Sequence, residues 1–186
     1  MGQLANKSAL ITGASRGIGA GVALAFAKEK AKVAINFPNA SAKEEAEDLC
    51  QSINNAGGDA IIIEADVSDS EAVEKMIKET TNHFGQIDIL VNNAGIAHAA
   101  PVEDIPVDMW DRVIDVHLKG TFLTCKFTMP QMYQRGNGRV INTASQLAYL
   151  GAPGFAHYTA AKGAIVTFTR TLALEAAPKG VGVNAV

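Results

Sequence analysis

"ALITGASRGIGAGVALAF", residues 9–26, reads as strand, turn and helix in immediate succession. A short apolar run leads into a turn with glycines at 13, 17 and 19, and an apolar-rich helical stretch opens directly behind it. Gly13 permits a tight turn. Gly17 and Gly19 remove side chains where backbone must approach a diphosphate at a helix N-terminus, the end whose unpaired N–H groups favour an anion. The spacing is GxxxGxG and not the commoner GxGxxG, and a glycine turn can also be a plain strand–helix joint. The pattern that follows decides between these readings.

Short apolar runs alternate with longer amphipathic segments along the whole chain. The runs are Ser8–Ile11, Lys32–Phe37, Ala60–Ala65, Ile87–Val91, Arg139–Asn142 and Val181–Val186; helical periodicity lies near 17–30, 41–56, 69–84, 107–134 and 155–177. Strands apolar on consecutive residues are buried on both faces, as in a parallel sheet covered by helices, and their crossovers are right-handed. The expectation is one doubly wound α/β domain over residues 1–186, with a mostly parallel sheet flanked by helices on both faces. The last run, "GVGVNAV", opens a strand and stops, so a C-terminal part is expected to be missing at the sixth strand.

Composition narrows the function classes. Of 186 residues, 48% are apolar and 19% charged, an ordinary globular balance. A net charge of −3 without a clustered Lys/Arg run argues against a nucleic-acid partner. No apolar run is long enough for a signal peptide or a membrane span, so a cytoplasmic protein without a membrane partner is expected. Cys50 and Cys125 stand in helical contexts without CxxC spacing and read as free thiols. His83, His98, His117 and His157 share no ligand spacing with Cys or carboxylates, so no metal is expected, and His157 reads as a pocket-rim residue.

In open parallel sheets the carboxyl ends of the strands form the ligand crevice. The second strand ends in "AINFPNASAK", which offers Asn36 where a cofactor with a free 2′-hydroxyl usually meets an acid. Arg16 in the glycine loop can pair with a 2′-phosphate, so NADP(H) is favoured, with NAD the other candidate. The third strand ends in "EADVSD"; Asp66 is suited to accept from an adenine amino group beside the Val67 amide, or else Asp66 or Ser68 caps the next helix. The fourth ends in "LVNNAG", where Asn92 and Asn93 can brace the sheet while Ala94 and Gly95 let backbone lie close to a cofactor. The fifth ends in "INTASQ", with Ser145 just beyond it.

"HYTAAKGAI" places Tyr158 and Lys162 at i and i+4, one turn apart on one helical face. A free tyrosine titrates near 10, and a neighbouring ammonium favours the phenolate and moves that value towards the range where proton transfer is efficient. Ser145, thirteen residues upstream of Tyr158, can hydrogen-bond a carbonyl oxygen and stabilise charge developing there. YxxxK alone is weak. Together with the glycine turn and the serine it is not.

The ordered set "TGASRGIG" (12–19, including Ser15 and Ile18), "DV" (66–67), "NNAG" (92–95), Ser145 and "YTAAK" (158–162) resembles the short-chain dehydrogenase/reductase family over nearly the whole chain. The resemblance implies a Rossmann fold binding NAD(P) through Gly13, Ser15, Arg16, Gly17, Ile18, Gly19, Asn36, Asp66, Val67, Asn93, Ala94, Gly95, Tyr158 and Lys162. It implies Tyr158 as general acid in reduction and base in oxidation, Lys162 holding the nicotinamide ribose, and Ser145 positioning the substrate oxygen. It also implies a homotetramer formed through residues 107–134 and 155–177, with Phe127, Met132 and Phe168 as interface residues.

Two departures stand out. The family's fourth active-site position is an asparagine in "VNLxG", whereas here "VIDVHLKG" (113–120) carries His117, on a helical face with Trp110, Val113 and Ile114. His117 is expected to keep the asparagine's backbone role without becoming a new base. The family also continues beyond "VNAV" with a Pro-Gly turn, a substrate loop and a final strand. Within the family the chain most resembles 3-oxoacyl-[acyl-carrier-protein] reductases of fatty acid biosynthesis, which reduce a small or carrier-bound carbonyl to a secondary alcohol. Sugar or polyol dehydrogenases stand almost as near, and a catalytically impaired nucleotide-binding sensor or assembly subunit is the alternative outside enzymology.

Overall fold

The computed structural model describes residues 2–186. Six strands, β1 (Ser8–Ile11), β2 (Lys32–Phe37), β3 (Asp59–Glu64), β4 (Ile89–Asn92), β5 (Gly138–Asn142) and β6 (Val181–Ala185), form one sheet in the order β3-β2-β1-β4-β5-β6. Every pairing is parallel. The helices between them are α1 (Gly17–Lys28), α2 (Lys43–Asn55), α3 (Ser70–Phe84), α4 (Val107–Ile114), α5 (Gly120–Arg135), the short α6 (Leu147–Leu150) and α7 (Ala156–Ala176). This is the doubly wound Rossmann-type architecture expected from the alternation of runs.

Strand residues alternate between two cores. In register across the sheet, Leu10 lies beside Ala34 and Leu90, Leu90 beside Val140, and Val140 beside Val183. All five bury one face against α3, α5 and the C-terminal half of α7. Ala9, Ile11, Val33, Ile35, Ile89 and Val91 bury the other against α1 and α2. Burial on both faces is why the runs read as continuously apolar. Among the described residues no helix is long and apolar enough to cross a membrane. Both cysteines are free, and burial raises the Cys125 thiol to about 12.

The stretch 107–134 is not one regular helix. Asp115–Lys119 forms a π-helical segment between α4 and α5. Val113, Val116, His117 and Gly120 are buried, while Trp110, in the first turn of α4, is exposed. The expected Trp110–Val113–Ile114–His117 face is corrected accordingly. Met132 is also displaced from its expected place at an interface. It is fully buried and sits where a Cβ on Gly138 would otherwise be, while Phe127 and Phe168 lean partly buried on the same core.

The strand order reverses between β1 and β4, and the crevice outside the strand C-termini at that reversal is where ligands bind in open α/β sheets. Side-chain hydrogen bonds hold it open. Thr12 Oγ1 accepts from the backbone N–H groups of Asn93 and Ala94, both at 3.0 Å, and Asn93 Nδ2 donates to the carbonyls of Thr12 and Gly13. Deeper, Asn92 donates to Asn142 (2.9 Å) and Asn142 to Thr169 (2.9 Å), while Thr124 donates to Asn92 (2.6 Å). Asn92 and Asn93 thus brace the sheet as expected, and Asn142 and Thr169 tie β5 to α7.

Candidate active site

A cavity of about 390 Å³ occupies the crevice. The glycine turn forms one wall with Gly13, Ser15, Arg16 and Ile18; Asn36, Pro38 and Asn39 follow from β2, Ala65–Val67 from β3 and Asn93–Ile96 from β4. Arg112 of α4 and Val116 of the π-helical segment close it. Residues read at the ends of β1 to β4 therefore converge on one cavity and Arg112 joins them, whereas Ser145, Tyr158 and Lys162 are not among its lining residues.

The glycine turn meets the demands of a dinucleotide cradle. Gly13 and Gly17 have φ of +58° and +59°, values that side chains rarely adopt. A Cβ on Gly13 would lie 2.8 Å from Ala94 Cα, and one on Gly19 would lie 2.6 Å from both Asn93 Nδ2 and the Gly13 carbonyl. Gly17 has open space beside it. The residue preceding α1, Arg16, makes no side-chain cap, and the first turn holds no acid. The leading N–H groups and the positive end of the helix dipole are thereby left for an anionic ligand.

Other residues serve differently from their expected roles. Asn36 is buried and lines the wall, but its carboxamide is committed to backbone: Oδ1 accepts from Gly13 N (3.1 Å) and Nδ2 donates to Ala65 O (2.9 Å). It shapes the turn and offers no free polar group. Asp69, and neither Asp66 nor Ser68, caps α3 by accepting from the N–H groups of Glu71 and Ala72. Asp66 is thus released from the capping alternative. Arg16 is strongly exposed and lies 3.8 Å from Glu45, a weak surface pair.

Ser145 stands just beyond β5, where its Oγ accepts from the Leu147 N–H at 3.1 Å, leaving the hydroxyl hydrogen to donate elsewhere. On α7, Lys162 is buried; its Nζ donates to the Thr143 carbonyl at 2.6 Å and lies 5.7 Å from the centroid of the Tyr158 ring. Burial lowers the Lys162 ammonium to about 8. Tyr158 packs edge to face against His117 (centroids 5.3 Å apart, planes at 86°) and against Phe155. His157, expected at the rim, is fully buried, and its ring nitrogens have no hydrogen-bond partner among the described residues. Residues 157, 161, 165 and 169 form the inward ridge of α7, which is why it points away from the surface.

His117 joins the two regions. Its Nε2 lies 3.0 Å from Ile96 N and 2.7 Å from Ile96 O, on the cavity wall, while its ring meets Tyr158. A single ring nitrogen either accepts from the N–H or donates to the carbonyl, never both at once, and Nδ1 is buried without a partner among the described residues. Burial first, then the Lys162 charge, lowers its pKa to about 4, so the ring is neutral at pH 7. A Cβ on Gly95 would lie 2.5 Å from His117 Cε1. Because the ring is pinned, Gly95→Ala is expected to cost about 2 kcal/mol by overpacking. That cost should fall by at least half in a His117→Asn background, where the ring's outer atoms are gone; equal urea-denaturation costs in both backgrounds would refute the contact.

Residues 7–186 match the short chain dehydrogenase family. The chain is 43% identical to a 3-oxoacyl-[acyl-carrier-protein] reductase of Staphylococcus aureus over 97% of its length and 72% of that protein's. It is 42% identical to the 3-oxoacyl-[acyl-carrier-protein] reductase of Synechocystis over its full length and 74% of the relative's. Among solved structures, an NAD+-bound xylitol dehydrogenase superposes with a TM-score of 0.93 at 37% identity, over 98% of this chain and 70% of that one.

Proposed function

The chain belongs to the short-chain dehydrogenase family, and from that premise we propose that it is an NADP(H)-dependent reductase of 3-oxoacyl groups carried on acyl-carrier protein. The observation that carries the chemistry is the buried Lys162 ammonium, one turn from Tyr158 and held by the Thr143 carbonyl. A cation fixed there stabilises the phenolate that forms when the Tyr158 hydroxyl gives its proton to the substrate oxygen. Ser145, whose oxygen already accepts from Leu147, donates its own hydrogen to that same oxygen as charge builds on it. A nicotinamide supplies or accepts the hydride when bound.

The glycine turn, the uncapped start of α1, Val67 and Asn93–Gly95 would hold the dinucleotide, with Asp66 accepting from the adenine amino group. The end of β2 carries Phe37, Pro38 and Asn39 in place of an acid, so the strand itself supplies no carboxylate to repel a 2′-phosphate. The exposed Arg16–Glu45 pair is weak enough to yield to that phosphate. His117 takes the positioning role, holding Ile96 and packing on Tyr158, and the proton transfers stay with Tyr158. The approach of the buried Lys162 to the Tyr158 ring supports an active enzyme over an inactive sensor. A soluble cytoplasmic homotetramer completes the reading, with exposed Phe122 and Leu174 more suited to its contacts than Met132.

The likeness to an NAD+-bound xylitol dehydrogenase supports a second reading, an NAD-dependent polyol dehydrogenase. Steady-state assays separate the two. Acetoacetyl-thioester should be reduced with NADPH at a kcat/KM at least about tenfold that with NADH, since pairing of a phosphate with one arginine is worth roughly 1.4 kcal/mol. Brisk xylitol or glucose oxidation with NAD+ and no thioester turnover would overturn the first reading and establish the second.

A further inference from the structure

Arg112 is not part of any motif read from the sequence, yet it lines the cavity beside Asp66, which lies 46 residues earlier in the chain. Its guanidinium bridges two acceptors. Nη2 donates to Asp66 Oδ2 at 2.7 Å, and Nη1 donates to Ser68 Oγ at 2.7 Å. The Ser68 hydroxyl donates in turn to Asp66 Oδ1 at 2.7 Å, and the Ser68 N–H donates to the same oxygen at 2.9 Å. Both in-plane lone pairs of Oδ1 are thus used, and Oδ2 retains one. Burial by itself raises the Asp66 carboxyl, but the hydrogen bonds from Arg112 and Ser68 and the Arg112 charge outweigh it and hold the group below its ordinary value.

We propose that Arg112 is a positioning residue for adenine recognition: together with Ser68 it locks the Asp66 carboxylate so that a single acceptor site, on Oδ2, remains for the exocyclic amino group of the base. The inference rests on the dinucleotide reading above. A carboxylate free to rotate presents four acceptor sites in changing directions and discriminates poorly. One held at both oxygens selects a donor at one place, which adenine supplies and a 6-oxo purine does not. Only a planar fork reaches Ser68 and Asp66 together, so Lys at 112 cannot reproduce the lock.

Calorimetric titration with NADPH and with its hypoxanthine analogue, in which a carbonyl replaces the adenine amino group, tests this. The parent chain should prefer the adenine form by at least about tenfold. In Arg112→Met and Arg112→Lys that preference should narrow to below about threefold, with the change carried by a roughly fivefold loss of NADPH affinity, modest because the pair is partly exposed. A thermal midpoint close to the parent's confirms that both variants fold. If both nucleotides weaken equally, or the preference is unchanged in both variants, Arg112 does not orient Asp66 and the proposal fails. If the parent chain binds both nucleotides equally, Asp66 does not read the base and the proposal fails with dinucleotide binding intact. If the parent chain binds neither of these nor NADH, the dinucleotide reading itself falls; if it binds NADH alone, the same comparison is made with NADH and its hypoxanthine analogue, and the same outcomes decide it.

Discussion

Tyr158→Phe should lower kcat about a thousandfold, the middle of the range for removing a positioned general acid, and leave NADPH affinity within about threefold. The substitution keeps the ring. Its edge-to-face contacts with His117 and Phe155 and the approach of Lys162 are properties of the ring, so packing and stability should hardly change. What is removed is the single O–H beside a buried ammonium. Stopped-flow measurement of NADPH oxidation isolates the chemical step from product release, and cofactor titration by fluorescence confirms that the cavity is intact. A kcat within tenfold of the parent's would remove Tyr158 as the proton donor and leave Ser145, whose hydrogen is also free to donate, as the next group to examine.

The sheet was legible because strands covered on both faces announce themselves as apolar runs, and the boundaries shift by at most two residues. At β4 the expected run begins at Ile87, but the strand starts at Ile89. Asp88 turns its carboxylate to the Ser8 N–H, an interaction that no local pattern encodes. The site was legible where chemistry demands unusual residues at fixed spacing, as with Gly13, Gly17 and Gly19 or Tyr158 and Lys162. It was illegible where a polar residue serves the backbone. Asn36 looks like a cofactor ligand at a strand end, yet both sides of its carboxamide are used to join β2 to the glycine turn and to Ala65.

Helical periodicity misled at Trp110 because it marks a face without saying how far along the helix that face is covered, and the first turn of α4 leaves Trp110 exposed. It misled at His157 and Met132 because a face assigned to solvent or to a partner is instead covered by this chain's own elements. Arg112 was missed for another reason. A surface arginine on a helix is ordinary, and only the fold brings α4 to the end of β3.

His117→Asn should change the pH dependence of stability more than it changes the rate. In the folded chain the ring protonates only near pH 4, whereas an unfolded histidine does so near 6.5. Between those values the unfolded state binds a proton that the folded state excludes, so this residue makes stability fall as pH drops from 6.5 to 4. At about 1.4 kcal/mol per unit, the full window is worth roughly 3 kcal/mol. The carboxylates that titrate in the same range are common to parent and variant and cancel in the difference. The variant should therefore match the parent at pH 7 and exceed it by roughly 3 kcal/mol at pH 4, read from urea midpoints at matched m-values. The shorter carboxamide removes the buried Nδ1 that lacks a partner among the described residues and leaves the proposed proton transfers with Tyr158 and Lys162. Turnover at pH 7 should accordingly be equal or higher. A flat stability difference across the window would mean that the ring charges normally within the fold, and a collapse of turnover would mean that the imidazole itself moves the proton.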